Sequence, residues 1–181
     1  MKMTSVLSPF SKLPNRQECT VLLVGDEGTG KHDLGLAMLN LKTPFSLFVR
    51  TATSLPLPAE KEEDRPCIDY ICYVINLTLD DSMKIVEEAL SAVDVRYFVG
   101  RSSLIVTGVE FPNKQVIEME TVLKLAESYD LPIIFGEVEK PEELLSLATK
   151  VTKTVEIAAG YKRNVSPMLV EATQRNFEQN L

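Results

Sequence analysis

The stretch from residue 21 to residue 38, VLLVGDEGTGKHDLGLAM, limits the possible folds more than any other part of the chain. Residues 21–24 are wholly apolar and read as a buried strand. A glycine-rich turn follows. Leu34, Ala37, Met38 and Leu41 then recur at helical spacing. A strand that feeds a helix through a tight glycine turn is the opening unit of a parallel α/β sheet.

The rest of the chain repeats that alternation. Residues 45–49 form a second, weaker strand candidate. Residues 54–66, SLPLPAEKEEDRP, hold three prolines and read as a loop. Residues 68–77, IDYICYVINL, make the strongest strand signal. Asp80 and Asp81 offer an amino-terminal cap to a helix whose buried face is Met83, Val86, Leu90 and Val93. Residues 104–107 read as a strand, and Val116, Met119, Leu123 and Ala126 as the next helical stripe. Residues 131–136 read as a last strand. Pro141 opens a long helix with Glu142 and Glu143 in its first turn, where the helix dipole favours acid. Leu144, Ala148, Val151, Val155 and Ala158 give that helix its apolar stripe, and Gly160 ends it. The expectation is an α/β fold: a mainly parallel sheet with helices on both faces. It forms one domain over residues 1–181, with an N-terminal extension over 1–18 and a C-terminal tail or short helix over 161–181.

The turn itself matches G-x-x-x-x-G-K through Gly25, Gly30 and Lys31, with Gly28 between them. The motif has a physical basis. Backbone N–H groups at the helix start hold phosphate oxygens, glycines permit close approach, and the lysine neutralises charge. A Ser or Thr should follow to ligate Mg²⁺, and His32 stands there instead. Imidazole is not the hard oxygen ligand that Mg²⁺ prefers. Asp26 and Glu27 add negative charge where polyphosphate would lie. Two readings follow: the loop retains weak phosphate binding, or the glycines keep only the turn while Lys31 pairs with a nearby carboxylate. No Asp in the chain is followed by Gly three places on, so the metal-linked D-x-x-G is missing. The span before residue 68 is also too short for two strands and two switch loops.

Charge excludes one function class. Nineteen basic residues against 26 acidic ones leave a net charge of −7, which argues against direct nucleic-acid binding. Cys19, Cys67 and Cys72 are odd in number and lack metal-ligand spacing, consistent with a reducing compartment. No run is apolar and long enough to span a membrane, and the amino terminus lacks the apolar core of a signal peptide.

The order of motifs resembles the small Ras-like GTPases. SLIVTGVEFPNK is similar to the strand that ends there in N-K-x-D, and these four places read Thr107, Gly108, Val109 and Glu110. KLAESYDLPIIFGEVE is similar to the helix and strand that lead into S-A-K, and that triplet reads Glu137, Val138 and Glu139. The resemblance implies a P-loop, GTPase-like fold with a shortened switch region and a degenerate base pocket at Thr107, Gly108, Glu110, Glu137 and Glu139. Each lost buried hydrogen bond costs roughly 1–3 kcal/mol, so guanine specificity should be gone.

A closer resemblance is to the centromere protein M family, on SVLSPFSKLP, LLVG, SLPLP, RPCIDYICYVINL, VDVRYFVG, TVLKLAESY and AAGY. It implies a nuclear, non-catalytic subunit of the inner kinetochore at the centromere. That subunit would bind no cofactor or metal and would assemble with centromere proteins I, H and K, chiefly centromere protein I. The alternative is a divergent small GTPase, or a weak phosphate-binding switch, using the retained Gly25, Gly30 and Lys31.

If the nucleotide site is dead, surfaces carry the function. Tyr97, Phe98 and Val99 are too apolar for a solvated connection. They either anchor a partner or tuck under the neighbouring helix as a satellite of the core. Val165, Met168 and Leu169 form a second apolar set, beyond the point where the fold should be complete.

Overall fold

Strands form where apolar residues run together, and the helices between them pack apolar side chains onto the sheet. A computed structural model of the chain describes residues 17–57 and 67–161. In chain order the elements are β1 (Glu18–Gly25), α1 (Lys31–Leu39), β2 (Ser46–Ala52), β3 (Tyr70–Asn76), α2 (Asp81–Ser91), β4 (Ser102–Thr107), α3 (Met119–Ser128), β5 (Ile133–Phe135) and α4 (Pro141–Ala158). Short 3₁₀ turns at Val95–Tyr97 and Pro112–Lys114 precede β4 and α3. The five strands make one sheet in the order β2-β1-β3-β4-β5, and every pairing is parallel.

Alternation along the strands sorts the core into two layers. Leu22, Val24, Ile71, Tyr73, Ile75, Leu104 and Val106 face α2 and α3. Cys19, Val21, Leu23, Tyr70, Cys72, Val74 and Ile105 face α1 and α4. Both faces are therefore covered, as the apolar strands required. The parallel arrangement also brings the carboxyl ends of β1, β3, β4 and β5 to one end of the sheet, where their loops meet.

Three local expectations need correction. The buried stripe of α3 is Val122 and Ala126 with half-buried Met119; Val116 and Leu123 are exposed. The cause is register. Val116 and Ile117 donate their N–H groups to the Leu77 carbonyl at 2.8 and 3.2 Å, so the helix starts only at Met119 and its phase shifts. Asp80 occupies the N-cap of α2 without a side-chain capping bond. The Ser82 hydroxyl, two residues on, instead accepts from the Asn76 N–H at 2.9 Å. Finally, β5 keeps only three residues of the expected six.

Candidate functional site

β1 ends at Gly25, and the turn through residues 26–30 delivers the chain to α1. Gly30 is the N-cap residue, at φ 77°, a left-handed conformation that L side chains rarely adopt. Gly28 lies exposed at the tip. The Asp26 carbonyl turns inward and collects three donors: the Thr29 hydroxyl at 2.8 Å, the Lys31 ammonium at 2.9 Å and, more loosely, the Thr29 N–H at 3.4 Å. Lys31 is 2% exposed. Burial lowers its pKa below the ordinary lysine range, while the charges of Glu27 and Asp26 oppose that shift. The expected carboxylate partner of Lys31 is thus replaced by a backbone carbonyl. The Asp26 carboxylate accepts from the Glu27 N–H at 2.7 Å instead. His32 is exposed and turns toward β2, its Nδ1 3.3 Å from the Thr51 hydroxyl.

The connection from β5 to α4 closes over this loop. A Cβ built on Gly30 would lie 2.5 Å from Cγ2 and 2.8 Å from Cβ of Val138. The Val138 isopropyl group therefore rests directly on the helix-start glycine. Its neighbour Glu137 is buried, and its carboxylate accepts from the Gly108 N–H at 2.9 Å and the Glu110 N–H at 3.1 Å. Thr107 closes β4, its hydroxyl 3.4 Å from the Ile75 carbonyl. Glu110 turns outward and pairs with Lys140, which also pairs with Glu143 at 2.9 Å. Glu110 first, then Glu143, raise the Lys140 pKa above the ordinary lysine range. Glu139 is exposed. Thr107, Gly108, Glu110 and Glu137 are thus brought together, and Glu139 stands apart.

Sequence reading missed Asn76. It ends β3, beside the strand that delivers the loop. Its Oδ1 accepts from the Thr78 N–H at 3.0 Å and the Thr78 hydroxyl at 2.9 Å, and would lie 2.5 Å from a Cβ on Gly108. A polar residue closing an apolar strand was the available signal. Chemically, a metal-bound phosphate site needs a carboxylate at such a strand end. Asn76 is neutral, and its oxygen is committed to its own turn. The backbone donors of the Gly108 loop are likewise engaged by Glu137. A ligand carbonyl would have to displace a buried carboxylate to reach them.

Of the candidate partner residues, Tyr97, Phe98 and Val99 lie at the opposite end of the sheet. Tyr97 is fully buried, and its hydroxyl donates to the Ile68 carbonyl at 2.9 Å. This corrects its assignment as a surface anchor: the ring belongs to the core beneath α2. Phe98 is half-buried, tilted against Tyr129 with ring centroids 5.2 Å apart. Val99 is exposed, and so is Val95, which sequence reading passed over. Asp94 caps this turn. The Arg96 guanidinium and N–H hold its carboxyl at about 2. Tyr161 donates to the Glu18 carbonyl at 2.6 Å and stacks on Phe45, so the chain leaves α4 at this same end. Val165, Met168 and Leu169 lie outside the described residues. Among the described residues no helix is long and apolar enough to cross a membrane.

Residues 4–177 match the family model described as Centromere protein M (CENP-M). Centromere protein M of Bos taurus and that of Homo sapiens are each 34% identical over 174 residues, covering 96% of this chain and 96% of theirs. The Danio rerio protein of the same name is 31% identical over 156 residues, covering 86% of this chain and 84% of its own.

Proposed function

The chain belongs to the centromere protein M family, and from that premise we propose that it is a non-catalytic pseudo-GTPase that works as an assembly subunit of the inner kinetochore. It acts in the nucleus, at the centromere, as a rigid α/β body. It docks on centromere protein I, in company with centromere proteins H and K, and takes no nucleotide or metal into its loop. The names of its relatives, matched over 96% of each chain, support the centromeric role.

One observation carries the pseudo-GTPase reading. The segment that would read a base is folded onto its own pocket, with Val138 against Gly30 and the Glu137 carboxylate on the N–H groups of Gly108 and Glu110. Asn76, at the end of β3, adds to it by offering no charge for a metal. Titration calorimetry with GTP and GDP at millimolar concentration, with and without Mg²⁺, tests the reading. No heat of binding is expected, and the purified protein should show no nucleotide in its ultraviolet absorbance ratio. Micromolar, Mg²⁺-dependent binding would reverse the conclusion.

The docking surface is the end of the sheet where Val95 and Val99 are exposed and where the chain departs after Tyr161. A helical partner covering standard area, roughly 800 Å² on each side, suffices for stable association. Val99→Glu and Met168→Glu should each abolish co-purification with centromere protein I while circular dichroism stays unchanged. Intact complexes with both variants would move the interface elsewhere.

A further inference from the structure

The two edges of the sheet are unequal. β5 is three residues long and follows Pro132, whereas β2 is seven residues long. Short edges and prolines blunt strand addition, and a long edge invites it. The register of β2 decides which of its groups face out. Ser46 donates to the Gln17 carbonyl, so Ser46, Phe48, Arg50 and Ala52 turn their backbone groups toward β1. Leu47, Val49 and Thr51 turn theirs away. Among the described residues nothing bonds to those outward N–H and C=O groups.

Apolar side chains flank this edge on both faces. Phe48, 50% exposed, stands on the α2 side of the sheet. On the other side, a Cβ on Gly35 would lie 3.1 Å from Val49, so this flank of α1 faces the edge. Leu39, one turn on, continues that flank, and Leu36 lies beside it; both are exposed. Charge adds direction. Residues 34–57 contain Lys42 and Arg50 and no acidic residue, in a chain of net charge −7. Arg50 is exposed and forms no ion pair among the described residues.

We propose that β2 is a strand-addition site for an extended segment of a partner protein whose side chains alternate between apolar and acidic. Its backbone bonds the outward groups of Leu47, Val49 and Thr51. Its apolar side chains cover the Leu36–Leu39 flank on the α1 side, and its acidic ones, on the opposite face, meet Arg50. The site is a sheet edge distinct from the Val95 and Val99 surface, and its test involves no centromere protein I.

The test uses the isolated full chain and two synthetic peptides, one alternating valine with glutamate and one alternating valine with lysine. The glutamate peptide should slow amide hydrogen exchange at Leu47, Val49 and Thr51 by at least about tenfold, leaving β5 unchanged. The lysine peptide should have no effect. Arg50→Glu, a surface change that the fold tolerates, should reverse that preference. No protection by either peptide, equal protection by both, or protection that grows with the chain's own concentration in the absence of peptide would each overturn the proposal. The last result would mean that a second copy takes the edge.

Discussion

Replacing Glu137 should unlock the loop after β4, and the size of the effect can be worked from its bonds. Glu137 is 6% exposed, and its carboxylate accepts two backbone N–H groups, at 2.9 and 3.1 Å. Bonds to a charged acceptor contribute roughly 1.5–3 kcal/mol each when the donor cannot rehydrate. Gly108 is buried, so its N–H is orphaned in Glu137→Ala. Glu110 is exposed, so its N–H regains water and forfeits only about 0.5–1 kcal/mol. The sum is about 2–4 kcal/mol. For a chain of this size each kcal/mol moves Tm by about 2–4 °C, so a fall of about 5–15 °C is expected. Glu137→Gln keeps one acceptor but turns an amide N–H toward a backbone N–H, and should fall between wild type and Ala. Thermal melts followed by circular dichroism, with urea titrations to confirm ΔG, measure both. If Glu137→Ala melts within about 2 °C of wild type, the carboxylate does not hold the loop and the self-closed pocket loses its main support.

Other consequences follow from the same contacts. Gly30→Ala should destabilise by more than about 2 kcal/mol, because it adds left-handed strain to the clash with Val138. Gly30→Ala with Val138→Ala should recover the part of the clash that the Val138 methyl groups cause, its Cβ remaining 2.8 Å away, and a urea double-mutant cycle should show a favourable coupling; strict additivity would deny the methyl contact. Lys31→Met should leave Tm unchanged or raise it, since it removes a desolvated ammonium while Thr29 still bonds the Asp26 carbonyl. A large loss of stability would show that the ammonium holds the turn. Tyr97→Phe should cost about 1–2 kcal/mol by orphaning the Ile68 carbonyl, with unchanged recovery of centromere protein I complexes. The Asp94 carboxyl lies below its unfolded value, so its contribution is present above about pH 4 and is lost as pH falls through about 2. Asp94→Asn should remove that acid limb from a pH-stability curve.

The order of elements was legible in the chain because apolar periodicity is local. The run before Gly25, the stripe of Met83, Val86 and Leu90, and the proline-led helix at Pro141 each carry their conformation within a few residues. The phase of α3 was not legible, because the bonds of Val116 and Ile117 to Leu77 set where it begins. Sequence left Tyr97 open between a partner anchor and a satellite of the core, because nothing in VDVRYFVG reveals the Ile68 carbonyl that receives its hydroxyl.

By itself, the sequence determined a parallel α/β layering, a glycine turn at the head of α1 and the absence of the D-x-x-G, N-K-x-D and S-A-K patterns. Only the tertiary structure decided what packs against that turn. Val138 meets Gly30, and Glu137 meets Gly108, across long stretches of chain. Such contacts depend on how parallel strands bring their loops to one end of the sheet, and side-chain periodicity, which reports only the face a residue takes, carries no record of that meeting.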